Sequence, residues 1–241
     1  MRTISQIKKI KKTFQDPRVI TSFLSDPDVD HLINLFDESD NTNSPYIGKI
    51  KKNTGPITLD LKQFSKDSIV ENLLEKIEKE IGPYDVVSAF FFKTDYPHII
   101  HNDDSFELPD NVYKAITLPL RIYGDNIIGY PSLCFFEQLY FHGPSKFFKG
   151  EEFVPTYYNK QIYEYRDIEN LTEQSFDNRL YEHYFTHVKK QWLEGLTFHS
   201  AIEWIPGSAI IFDSVRLHCA SDFRKQNIKE KLAISIFTKK K

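Results

Sequence analysis

The sequence predicts an α+β chain in which helices pack outside an antiparallel β core. Three observations predict it. Residues 1 to about 80 place apolar side chains at helical spacing, and from about 85 the chain changes to short aromatic and aliphatic runs divided by turn-forming segments. In addition, 15% of the residues are aromatic, including 20 Phe and 13 Tyr, a load that suits a broad β interior.

The elements follow in order. In "SDPDVDHLINLFDES", Ser25 or Asp26 can cap a helix, Pro27 suits its first turn, and Val29, Leu32, Ile33 and Phe36 share one face. "KDSIVENLLEKIEKEIG" repeats the pattern with Ile69, Leu73, Leu74 and Ile77, and Gly82 stops it. "DVVSAFFF", "VYKAITLPLRIY" and "PSLCFFEQLYF" read as strands, separated by "HNDDS" and "GDNIIGYP". Residues 142 to 172 are polar, Tyr-rich and too long for a tight turn, which marks them as a lid or specificity loop. "TEQSFDNRLYEHYFTHVKKQWLEGL" reads as a helix closing at Gly195, after which "TFHSAIEW", "GSAIIFD" and "KLAISIFT" return to strand. With no repeat and no clean linker, the expected division is one domain over 1–241. Its mainly helical flank is 1–84, and a β core over 85–241 carries a loop-and-helix insertion at 142–195.

Charge and cysteine content exclude several classes. With 31 basic against 34 acidic residues and a net charge of −3, the balance argues against a general electrostatic grip on nucleic acid and leaves only a local basic groove open. Cys134 and Cys219 form no CxxC and no disulfide framework, which is the pattern of a reducing, cytoplasmic setting. No run approaches the length of a membrane span, and "MRTISQIKKIKKTFQD" lacks the apolar segment of a secretory signal.

The chemistry concentrates in "YPHIIHNDDSF". Residues i and i+2 of a strand share a face, so His101 and Asp103 can grip one ion together. A second histidine, His218, ends "PGSAIIFDSVRLH", beyond a turn and a buried strand, and a sandwich of antiparallel strands brings such distant edges together. Two histidines and one carboxylate on one side of an ion leave its other positions open, the arrangement favoured by non-haem Fe(II) enzymes. Such an enzyme also needs a cation for a dicarboxylic co-substrate. Lys231 opens "KLAISIFT", where alternation places Lys231, Ala233 and Ser235 on one face and Leu232, Ile234 and Ile236 on the other.

These residues together resemble the Fe(II)/2-oxoglutarate-dependent oxygenase superfamily over roughly residues 90 to 240. "YKAITLPL", "FFEQ" and "LHCASDF" further resemble a subgroup of small uncharacterised members. The resemblance implies a double-stranded β-helix (jelly-roll, cupin-like) core and a metal triad of His101, Asp103 and His218. It also implies the cofactor Fe(II), the co-substrates 2-oxoglutarate and O2, and hydroxylation of a C–H bond with release of succinate and CO2. A carboxylate at 103 points to hydroxylation, because halogenases of the superfamily vacate that position. Many members use Arg where this chain has Lys231, with Ser at i+2 rather than i+4, and Lys lacks the planar fork of Arg. Arg121, Lys114, Arg224 and Lys229 therefore compete for the co-substrate cation; alternation sends Lys114 and Arg121 to opposite faces of one strand. Gln138 and Tyr140 are candidates to line the co-substrate pocket.

Each motif has a plainer reading. "HNDDS" alone is an Asx-type turn. His183 and His187, four apart on a predicted helix, lack the zincin Glu and read as helix surface. His98 and His199 read as packing or supporting hydrogen-bond groups, and Cys219 as packing. The candidate substrates are a small molecule, an amino-acid side chain or a nucleobase, and the near-neutral charge favours the first two. The alternatives are a cupin-type protein that binds metal without turnover, and a cupin metalloenzyme that uses the triad without 2-oxoglutarate.

Overall fold

The computed structural model describes residues 3–41, 57–104, 112–141, 145–146 and 168–241. Helix α1 (Ile4–Lys11) begins with a capping box in which Thr3 and Gln6 bond each other's backbone N–H. Strand β1 (Arg18–Ile20) and helix α2 (Asp26–Asn41) follow. Ser25 caps α2, its hydroxyl accepting from the Asp28 N–H while the Asp28 carboxylate accepts from the Ser25 N–H. Strand β2 (Ile57–Asp60) leads through a 3-10 turn at Leu61–Phe64 to α3 (Ser68–Ile81). Asp67 caps α3 by accepting from the N–H groups of Ile69 and Val70, and Gly82, at φ 79°, ends it.

The remaining strands are β3 (Tyr84–Thr94), β4 (His101–Asn102), β5 (Val112–Gly124), β6 (Ser132–Leu139), β7 (Ser145–Lys146), β8 (Phe198–Glu203), β9 (Ala209–Asp213), β10 (Arg216–Ala220) and β11 (Ile228–Lys240). Among the described residues they make two antiparallel sheets, ordered β1-β9-β5-β11-β3-β2 and β7-β4-β10-β6-β8. Strands β3 to β6 alternate between the sheets, and so do β8 to β11. The two runs interleave: β11 lies between β3 and β5, and β10 between β4 and β6. This winding is a double-stranded β-helix, and it carries distant sequence segments to one place.

Three apolar layers hold it together. Leu32, Ile33 and Phe36 of α2 and Leu73 and Ile77 of α3 pack on Leu232, Ile234 and Ile236 of β11, so the helices cover the outer face of the six-stranded sheet. Between the sheets, Phe135 and Leu133 of β6 meet Ile210 and Phe212 of β9, Ala233 of β11 and Trp204. Outside the five-stranded sheet, Phe136, Leu217 and Cys219 are covered by Phe176, Phe185, Trp192 and Leu193.

Several expectations change here. The flank over 1–84 adds strands to its helices: β1 and β2 pair with β9 and β3 and extend the large sheet. The helix expected to close at Gly195 is short, α4 (Asn178–Tyr184), with a 3-10 turn over Lys190–Leu193. Between them the chain turns inward, burying Phe185 and Val188 and bonding the Thr186 hydroxyl to Asp222. His218 follows the end of β9, as expected, and lies within a further strand, β10. The expected specificity loop falls mostly on residues 142–144 and 147–167, outside the described residues.

Candidate metal centre

His101 and His218 are direct cross-strand partners, β4 against β10. A short ladder between two-residue β4 and its neighbour thus sets both imidazoles on one face, with ring centroids 4.2 Å apart. Asp103 follows β4 immediately, and its N–H donates to the Ser214 carbonyl at 2.8 Å, which turns its carboxylate toward the same point. The Asp103 oxygens lie 3.6 Å from His101 Nε2 and 3.4 Å from His218 Nε2. All three potential ligand atoms stand within 4.8 Å of one another.

The backbone sets the tautomers. His101 Nδ1 is 2.7 Å from the Ile99 carbonyl and His218 Nδ1 is 3.0 Å from the Arg216 carbonyl. A carbonyl accepts only, so each Nδ1 carries a proton and each Nε2 faces the centre, where its lone pair is available to an ion once any proton on it is lost. Burial acts to raise the Asp103 pKa, but the adjacent His218 and His101 outweigh it, and the carboxyl is held below its ordinary value. The donor set therefore fits a divalent ion bound on one face. Access is uneven: His218 keeps only 3% of its side chain exposed, against 18% for His101 and 17% for Asp103, so the opening lies on the β4 side. Behind His218 the rings of Phe212 and Phe135, at 4.7 and 6.0 Å, seal the interior.

Lys231 lies on the inward face of β11, paired with Thr94 and Ile122, and Ala233 and Ser235 follow on that face. Its ammonium stands 4.9 Å from the Trp204 ring and 5.3 Å from the Phe223 ring. Burial lowers its pKa to about 8, and the opposing pull comes from Cys134 rather than from a carboxylate. Trp204 and Phe223 were not singled out from the sequence; an aromatic residue just ahead of "IPG" was the available signal.

The other candidate cations have partners elsewhere. Lys114 is buried in an ion pair with Asp213, 2.9 Å away, and also donates to the Thr13 carbonyl. Burial raises the Asp213 pKa despite that lysine. Arg121 reaches Asp30 of α2 at 3.5 Å. The expectation that Lys114 and Arg121 face opposite ways fails: both lie on the helix-covered face, because β5 carries an extra residue where Leu232 pairs with Arg121 and Ala233 with Pro119. Lys229 pairs with Asp125, and Arg224 donates to the Asp95 carbonyl. Gln138 spends its amide on the Asn170 carbonyl and the Thr197 N–H, tying two loops to β6, and Tyr140 packs in the outer cluster.

Among the remaining histidines, His183 is on the helix surface as expected. His187 is not: it lies beyond α4, its Nε2 3.3 Å from the His98 carbonyl, and burial lowers its pKa. His199 is 3.2 Å from Asp16, and the His98 ring packs edge-on against His101 at 5.5 Å. Arg216, overlooked in the sequence, is buried and donates to the Phe136 carbonyl where β6 bulges opposite β10.

No protein-family profile matches the chain, and no curated protein sequence does. Solved structures do resemble it. HygX from Streptomyces hygroscopicus, with nickel and 2-oxoglutarate bound, is 12% identical at a TM-score of 0.52, covering 99% of this chain and 87% of its own. SnoK, a non-haem α-ketoglutarate-dependent carbocyclase from nogalamycin biosynthesis, is 12% identical at a TM-score of 0.52, covering 99% and 84%. The fold is thus that of these two proteins, and fold and site together define the class: a double-stranded β-helix with a two-histidine, one-carboxylate centre on its inner face.

Proposed function

We propose that the chain is a non-haem Fe(II)- and 2-oxoglutarate-dependent oxygenase that hydroxylates a C–H bond of a small molecule or an amino-acid side chain, releasing succinate and CO2. One observation carries the reading: His101, Asp103 and His218 converge with both Nε2 atoms turned to one point, in the same interior as a buried ammonium that, among the described residues, pairs with no carboxylate. The 2-oxoglutarate in the HygX structure supports it.

In this reading His101, Asp103 and His218 hold the iron, and Asp103 contributes the negative charge that favours a divalent cation. Bound there, the iron supplies the redox chemistry that couples O2 to oxidative decarboxylation of 2-oxoglutarate. Lys231 pairs with the distal carboxylate of the co-substrate, exchanging two aromatic faces for an ion pair in a dry environment. Ser235 offers a hydroxyl on the same face. Phe135 and Phe212 keep water from the back of His218. We read the chain as one domain in a cytoplasmic setting, supported by two free, buried cysteines.

The test is anaerobic addition of Fe(II) and then 2-oxoglutarate to the purified protein. The reading expects the visible charge-transfer band of a chelated keto acid and its loss in His218→Ala. Iron binding without that band would favour a cupin enzyme that does not use 2-oxoglutarate, and no iron binding would leave "HNDDS" as a turn.

A further inference from the structure

Alternation along β11 places Lys231, Ala233, Ser235 and Phe237 on the inward face. Their partners on β3 are Thr94, Phe92, Phe90 and Ser88. At about 3.4 Å per residue, Lys231 and Phe237 are roughly 20 Å apart along the strand. The cation thus occupies one end of this face, and the rings of Phe92, Phe90 and Phe237 run from beside it toward the other end.

Those rings are continuous with the metal ligands. Successive centroids run Phe237 to Phe90 at 5.7 Å, Phe90 to Phe92 at 6.2 Å, Phe92 to His98 at 5.1 Å and His98 to His101 at 5.5 Å. Phe90, Phe92 and Phe237 are each only partly buried, although Phe91 beside them is fully buried on the opposite face. Partly exposed Phe on the concave face of a barrel leaves apolar area that a ligand can cover. A charged group laid on the Phe row would lose hydration, and among the described residues of β3 and β11 from Thr94 to Phe237 only Lys231 carries charge on that face.

Resting on the metal reading above, we propose that the row Phe92, Phe90 and Phe237, joined to the triad through His98, receives the substrate to be oxidised and selects an uncharged ring or similar apolar group. The row then sets specificity, while Lys231, at the Phe92 end of this face, serves the co-substrate.

Saturation-transfer NMR tests it with indole and cyclohexanol as uncharged probes and lysine, glutamate and adenosine monophosphate as charged ones. Phe90→Ala and the milder Phe237→Leu are compared with the native chain after their folding is checked by circular dichroism. The proposal expects both uncharged probes to bind the metal-free protein and the charged ones not to. It also expects Phe90→Ala to raise the indole Kd by about tenfold. Mn(II) seated at the triad should broaden the indole resonances in the native protein and not in His218→Ala. Equal binding of charged probes overturns the proposal. So does indole binding that both Phe variants leave unchanged, or indole binding without broadening while Mn(II) is bound. Failure of Mn(II) to bind, seen as unchanged water-proton relaxation, would instead remove the metal reading and the proposal with it.

Discussion

Lys231 shows how one side chain can be set by its surroundings. Burial between Trp204 and Phe223 brings its pKa to about 8, whereas a lysine in an unfolded chain titrates near 10.4. Between those values the unfolded chain holds more protons, so stability of the unliganded protein rises with pH over that window, and the cost of the buried charge is complete below it. The functional sign is opposite, because a carboxylate needs the ammonium. The KM for 2-oxoglutarate is therefore expected to rise as pH passes through 8, and Lys231→Met should show a high KM with no such pH dependence. A pH-independent KM in the native protein would remove Lys231 from the co-substrate site. A second residue-scale expectation concerns the thiols. Cys134 and Cys219 are cross-strand partners, free and fully buried, and burial pushes both pKa values up. Neither should react with an aromatic disulfide reagent in the native protein at pH 8, and both should react in denaturant; rapid native reaction would contradict the packing outside the small sheet.

At the scale of elements, irregular pairing decides which side chains reach the interior. Strict alternation in β5 would send Lys114 and Arg121 to opposite faces, but the extra residue near Leu120 puts Arg121 on the same face as Lys114. Lys114 then acts in the fold: it neutralises Asp213, whose other oxygen accepts the Gln15 N–H. Lys114→Met leaves that carboxylate buried without its cation and is expected to destabilise the protein by about 3–5 kcal/mol, measured by urea unfolding. Affinity of the folded fraction for 2-oxoglutarate should be unchanged; a matching rise in KM would return Lys114 to the candidate site. The end of β5 is equally constrained, since a Cβ at Gly124 would lie 2.1 Å from the Asn227 carbonyl oxygen.

At the scale of the molecule, the N-terminal segment closes one end of the β-helix. Ile10 packs with Leu139, Phe141 and Val215, the Thr13 carbonyl accepts from Lys114, and Asp16 meets Arg216 at 3.3 Å. Arg216 in turn carries the carbonyl that orients His218. Removal of residues 1–16 uncovers this cluster and strips partners from three buried charges, Lys114, Asp213 and Arg216, so calorimetry is expected to show a loss of about 3 kcal/mol or more. An unchanged Tm would mean that the arm adds nothing to the fold.

The sequence by itself determined what depends on local pattern. His-x-Asp and a later His named the three groups that converge, the capping signals placed α2 and α3, and alternation put Lys231, Ala233 and Ser235 on one face. These follow from spacing along a helix or strand, which neighbouring residues impose. Only the tertiary structure decided what depends on pairing between distant segments. That includes the register that sets His101 against His218, the bulge that turns Arg121 outward, the inward turn that sets His187 against the His98 carbonyl, and the aromatic faces around Lys231. The physical reason is that ladder register and bulges are chosen by the fit of whole sheets, and no short window of residues contains that information.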